Sequence, residues 1–173
     1  MSKFQCGRFF VGTAFICLFQ LSAYAKDTGA YIQLFSSKTI EATSHETVVP
    51  FDSARGFSID QIRDKVTFHV EGNYYIMVEG QVGSIIPGAK ESGYVDVWFR
   101  HNGQAVPDSA SRHSVRDGST ATIVTQDILH IKPGDTVSVA FDVSNPKIGF
   151  VAFPAQGRVP TITSIDLTIY KID

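Results

Sequence analysis

Apolar and polar residues alternate with a period of two through most of the chain, and the clearest case is residues 66–80, VTFHVEGNYYIMVEG. Val66, Phe68 and Val70 alternate with Thr67, His69 and Glu71, the pattern of a strand with one buried face. Gly72 and Asn73 interrupt the run. Both residue types accept positive φ, so a tight hairpin reversal is predicted there. Tyr74, Tyr75, Ile76, Met77 and Val78 then open a second strand that is apolar on both faces, and a strand of that kind needs cover on both.

The same alternation recurs along the chain. Residues 31–35 (YIQLF) and 47–51 (TVVPF) are short strand candidates, with Pro50 placing the second at an edge or bulge. Residues 56–64 read equally as a strand fragment or a turn. After a glycine-rich loop at 80–93, residues 94–101 put Val95, Val97 and Phe99 on one face, and Tyr94, Asp96, Trp98 and Arg100 on the other. Asn102-Gly103 predicts a type I′ hairpin turn, which needs positive φ at both positions. The return strand at 104–106 stops at Pro107.

Residues 120–131 give one long strand or two short ones. Lys132-Pro133-Gly134-Asp135 then predicts a type II turn, with proline presetting φ and glycine taking the left-handed position. Val137, Val139, Phe141 and Val143 alternate with Thr136, Ser138, Ala140 and Asp142. Residues 148–153 form another candidate, followed by a Gly/Pro-bearing loop at 154–160. In the last strand Ile165, Leu167 and Ile169 alternate with Asp166, Thr168 and Tyr170. About eight to ten short strands with turns roughly every 8–12 residues predict an all-β sandwich or barrel.

The N-terminal 25 residues follow a different rule. Lys3 and Arg8 precede an apolar run at 9–19, and Ala23-Tyr24-Ala25 forms a small-x-small cleavage site. That is the layout of a secretory signal peptide, and the run falls short of the about 20 residues needed to cross a bilayer. Ile16 before Cys17 argues against lipoprotein processing, which needs a small residue there. Cleavage after Ala25 leaves one domain at 26–173, exported or extracytoplasmic, in the periplasm or at the cell surface if the source is bacterial.

Processing changes the chemistry available. Both cysteines, Cys6 and Cys17, leave with the signal, so a disulfide, a thiol nucleophile and cysteine metal ligands are excluded from the mature chain. Loss of Lys3 and Arg8 takes 15 basic residues to 13 against 17 acidic ones, and the net charge from −2 to −4. A weakly acidic domain without basic runs is a poor partner for nucleic acid or anionic membranes. Asn73, Asn102 and Asn145 all fail the glycosylation sequon, and no later stretch is apolar enough for a transmembrane span.

Catalytic signatures are missing. His45, His69, His101, His113 and His130 fall in no His-x-His or zincin pattern, and Gly56-Phe57-Ser58-Ile59-Asp60 fails the nucleophile elbow at its last position. Asp108, Asp117 and Asp127 do not have calcium-loop spacing. No catalytic residue, metal ligand or cofactor is therefore expected. A binding face is better supported, because Asp96, Trp98 and Arg100 stand at two-residue spacing on one side of a strand. A tryptophan between hydrogen-bonding charges can stack on a sugar or anchor a protein. The alternative is that Trp98 caps the core edge, while Asp96 and Arg100 form a surface ion pair of little energetic weight.

Three motifs in order carry a resemblance. Phe68-x-x-x-Gly72-x-Tyr74-Tyr75, Val95-x-Val97-x-Phe99-x-x-Asn102-Gly103 and Leu129-x-Ile131-x-x-Gly134-Asp135-x-Val137 resemble the signatures of the C1q globular head and tumour necrosis factor superfamily. The likeness spans essentially the whole of 26–173. Thr163-Ser164-Ile165-Asp166-Leu167 departs from the family's Phe-x-Gly-Phe element, and no collagen-like stalk is present, as in stalkless bacterial members.

The resemblance implies a ten-stranded jelly-roll β-sandwich that forms a compact homotrimer through the outward face of its inner sheet. Tyr75, Met77, Tyr170 and Ile172 are then the expected contact residues, with Tyr74, Ile76 and Val78 turned inward. Calcium at loop oxygens occurs in some members, without a motif to support it here. The function implied is a non-enzymatic recognition or adhesion module for a protein or glycan ligand. A monomeric or dimeric carbohydrate-binding jelly roll, and a hydrolase with a site assembled from separate strands, remain the alternatives.

Overall fold

The computed structural model describes residues 31–43, 46–56, 60–62 and 64–173. The expected signal peptide at 1–25 with its two cysteines, and His45, lie outside the described residues. The first strands are β1 (Tyr31–Ser36), β2 (Ile40–Glu41), β3 (Thr47–Val48) and β4 (Ser53–Gly56). β5 (Asp60–Ile62), β6 (Lys65–Thr67) and the long β7 (Gly72–Ser84) lead to β8 (Gly93–His101) and β9 (Gln104–Ala105). β10 (Ser111–Val115), β11 (Ala121–Ile131), β12 (Thr136–Val143), β13 (Ile148–Phe150) and β14 (Ile165–Lys171) follow. These fourteen described segments exceed the ten expected because several are only two or three residues long.

They pair antiparallel in two sheets. In the first, β7 is flanked along one side by β11 and on the other by β14 and then β13, so that Val78 faces both Thr125 and Leu167. β1 and β4 extend it beyond β14, and β2 beyond β13. The second sheet runs β10-β8-β12-β6-β5, with β3 continuing along β12 and β9 returning on β8. The alternating apolar residues meet between the sheets: Ile76, Leu167 and Ile169 from one, Val97, Phe99, Val137, Val139 and Phe141 from the other, all fully buried. Two edge-to-face ring pairs bind the layers together, Phe68–Tyr74 at 4.8 Å and Phe141–Phe150 at 5.0 Å between centroids.

The turn chemistry is as the residue types predict. Asn102 and Gly103 take φ of 51° and 78°, the left-handed pair of a type I′ hairpin. Gly134 takes φ 89°, and the Asp135 amide donates to the Lys132 carbonyl at 3.0 Å, closing the turn into β12. The 120–131 candidate is one long strand, Ala121–Ile131, rather than two.

Other expectations need correction. Residues 66–80 do not form a hairpin, because β6 pairs with β5 and β12 while β7 lies in the opposite sheet. Gly72 therefore marks a crossing between layers. The strand also ends early: Val70 is 45% exposed rather than part of the buried face. The Gly134 amide donates to the Phe68 carbonyl at 2.7 Å, and the Tyr74 hydroxyl to the Val70 carbonyl at 3.0 Å, which hold this crossing in place. The 47–51 candidate is a strand only at Thr47–Val48, although Val49 and Phe51 are still buried beyond it.

Candidate functional site

The outward side of the first sheet is where the predicted contact residues gather. Tyr74, Ile76 and Val78 point into the sandwich and are buried, so Tyr75 and Met77 project the other way. Register then builds a continuous row. Tyr31 of β1 faces Tyr170 of β14, which faces Tyr75 of β7, which faces Ile128 of β11. Tyr75 and Tyr170 stack obliquely with centroids 5.0 Å apart, and the Tyr75 hydroxyl donates to Gln126 Oε1. In the isolated chain Tyr31, Tyr170 and Ile128 are 49%, 41% and 57% exposed. Ile172 is 47% exposed at the end of the face, its amide bonded to the Asn73 carbonyl at 2.9 Å.

Adjacent rows complete the face. Gln33, Thr168, Met77 and Gln126 form one, and Phe35, Asp166, Glu79 and Val124 the next. Arg55 of β4 stacks on the Phe35 ring, 5.2 Å from its centroid. The Thr163 hydroxyl donates to Asp166 at 2.9 Å. Burial holds the Asp166 carboxyl above the usual carboxylate range, against the pull of Thr163 and Arg55. Tyr31, Ile128, Val124 and Phe35 were not among the expected contacts. Their parity is visible in the sequence, but the pairing that aligns them with Tyr75 is not.

The outward side of the second sheet carries the candidate ligand residues. Asp96, Trp98 and Arg100 lie along β8 on its solvent side, alternating with buried Val95, Val97 and Phe99. They do not pair with each other as the surface ion-pair expectation has it. Asp96 receives a two-pronged bond from Arg112 of β10, at 2.7 Å on each oxygen, and the Arg112 guanidinium lies 3.9 Å from the Tyr94 ring centroid. The bonds to Asp96 raise the Arg112 pKa above its ordinary value. Arg100 instead meets Glu46 at 2.5 Å and the Gly103 carbonyl. Trp98 is half-buried, opposite Ala140, which is itself wholly covered on this outer side. Both arginines are anchored, so the strip is a stiff, charge-balanced surface with an aromatic centre.

The histidine–carboxylate contact at the turns has a different character. His101 Nε2 lies 2.9 Å from Asp135, whose carboxylate also accepts from Asn102 at 2.8 Å and from the Lys132 amide at 2.9 Å. Those bonds, with Asn102 first and Lys132 next, hold the Asp135 carboxyl down at about 2. The Thr136 amide in turn donates to Asn102 Oδ1 at 2.8 Å, so one cluster clasps both turns. A neighbouring hollow of about 310 Å³ is lined by Arg100, Asn102, Thr136 and Ser138 among others, and by neither His101 nor Asp135. The pair is a structural clasp.

Asp108 and Asp117 occupy left-handed turn positions, with φ of 60° and 50°. Asp127 lies in β11 and accepts from the Ile128 amide. Among the described residues, no group of three or more His, Cys, Asp or Glu side chains could hold a metal ion. Among them also, no helix is long and apolar enough to cross a membrane.

No protein-family model matches the chain, and no curated protein does. Its fold does overlap a solved structure. Murine APRIL at pH 5.0, a jelly roll of the tumour necrosis factor family, superposes with a TM-score of 0.54 over 83% of this chain and 99% of that one, at 14% sequence identity. Two antiparallel sheets with this strand order and this overlap give the chain a tumour necrosis factor-like jelly-roll sandwich.

Proposed function

We propose that the protein is an exported, non-enzymatic homotrimer that acts as a recognition or adhesion module, binding a protein or glycan ligand through its outer surface. The observation that carries this reading is the exposed row Tyr31–Tyr170–Tyr75–Ile128 across the first sheet. Contiguous apolar surface of this kind marks an interaction site, and a second copy of the chain is the partner that the jelly-roll likeness favours.

Magnitudes decide how much of the face must take part. About half of Tyr31, Tyr170 and Ile128 remains to be covered, and less of Tyr75, which is worth on the order of 1 kcal/mol apiece at most. Association itself costs roughly 4–15 kcal/mol. The row alone is too small, so Ile172, Met77, Phe35 and Val124 belong to the same contact. Sedimentation equilibrium of the mature chain at micromolar concentration tests the assembly: a trimer is expected, and a monomer overturns it.

The Asp96–Trp98–Arg100 strip is the proposed ligand surface, since assembly through the first sheet leaves the outer sheet free. A monomer that binds glycans at Trp98 would support the carbohydrate-binding alternative instead. Export rests on the leader-like segment at 1–25, and N-terminal sequencing of the secreted protein, beginning at Lys26, is its test.

A further inference from the structure

Within the outward face of the first sheet, one row breaks the apolar pattern. Asp166 and Glu79 stand directly opposite each other on β14 and β7, between Phe35 of β1 and Val124 of β11. Directly opposed side chains in an antiparallel pair have Cβ atoms about 4.5–5.5 Å apart, and like charges so placed destabilise the sheet. Their surroundings offer little neutralisation. β1 presents Phe35 and Gln33, and β11 presents Val124 with Gln126 and Thr122 on the diagonals. The loop before β14 supplies the Thr163 hydroxyl, and β4 supplies Arg55, which is itself laid on the Phe35 ring.

From this geometry we infer that the Asp166–Glu79 pair makes assembly proton-linked, so that subunits associate more tightly at mildly acidic than at neutral pH. The inference rests on the assembly proposed above, in which a second copy covers this face. Covering removes water from both carboxylates, and desolvation favours their protonated forms. Asp166 is already displaced upward by partial burial in the single chain. Asp166 then has a higher pKa in the assembly than in the free subunit. The added stability is fully present below the free-subunit value and is lost as pH rises through the assembled one. A protonated pair can also share a hydrogen bond, turning a repulsive contact into a cohesive one.

Each proton that the trimer takes up changes its association constant by about tenfold per pH unit within the titrating range. The test is sedimentation equilibrium of the mature chain at about pH 5.5, 6.5 and 7.5, with Asp166→Asn/Glu79→Gln and Glu79→Gln alone beside it. Glu79 is exposed in the single chain, so the single variant keeps the fold. His130→Gln serves as a control, because His130 also lies on this face, near Glu71 and Asn73.

The expected result is an association constant at least about tenfold greater at the acidic end. The slope should shrink in Glu79→Gln, vanish in the double variant and persist in His130→Gln. A trimer with a pH-independent constant, or a double variant that keeps the slope, overturns the inference and leaves the assembly standing. A chain that is monomeric at every pH overturns both.

Discussion

Phe150 lies across Gly80. A Cβ built on Gly80 would come within 2.3 Å of the Phe150 ring, so the absence of a side chain on β7 is what admits an aromatic from β13. The same ring packs edge-to-face on Phe141 of the other sheet. Gly80→Ala is expected to cost about 1–3 kcal/mol, the usual penalty of overpacking a filled core. Phe150→Ala should cost about 3–5 kcal/mol by leaving a cavity. In urea unfolding, Phe150→Leu should lessen the penalty of Gly80→Ala. Additive losses would mean that the two positions do not compete for one space.

Ile128→Glu separates folding from assembly. The side chain is largely exposed in the single chain, so the unfolding midpoint of the isolated subunit should move little. On a covered face, the same change buries an unpaired charge and should weaken association by at least about a hundredfold, or several kcal/mol. Size-exclusion chromatography with light scattering reads the stoichiometry, and an unaltered trimer would remove Ile128 from the interface.

Asp135 gives the fold an acid limit. Its carboxyl is held at about 2 in the folded chain against an ordinary value of 3.8. A depressed carboxylate contributes stability above its unfolded pKa and loses it as pH falls through the folded value. Denaturant unfolding between about pH 5 and pH 2 should show a slope that Asp135→Asn flattens. His101 adds to the clasp only while the carboxylate is ionised.

Trp98→Ala tests the outer surface. Trp98 lies on the sheet opposite the proposed assembly face, so the substitution should leave the stoichiometry as in the parent chain. On a glycan array, or in pull-down of a surface protein, binding should fall at least about tenfold, the loss of one aromatic anchor. Unchanged binding to every ligand that the parent chain takes would end the case for this strip.

Local rules made much of the sandwich legible. Val137, Val139 and Phe141 could be assigned to the core from spacing alone, and Asn102-Gly103 named its own turn. What failed were statements about partnership. β6 and β7 are neighbours in the chain, yet Val66 pairs with Val137 while Tyr74 pairs with Leu129 and Lys171. Alternation says which face is buried, not which sheet a strand joins. β10 escaped notice because Ser111–Val115 buries one large apolar side chain, Val115. With it went Arg112, the actual partner of Asp96. On the outward side of the first sheet, the positions of Tyr75, Met77 and Tyr170 follow from parity, whereas their alignment with Tyr31 and Ile128 needed the register.

The placement of β14 between β1 and β7 also sets a schedule for the chain. β1 has its central neighbour in β14, since Tyr31–Ser36 waits for residues 165–170 to complete its pairing. Until residues 165–171 are available, β1 and β7 each lack the partner that lies between them. Such non-local closure is slow, in the millisecond-to-second range typical of β-sandwiches. It also means that a truncation before Ile165 removes a strand from the middle of the sheet, and leaves two exposed edges open to pairing with other chains.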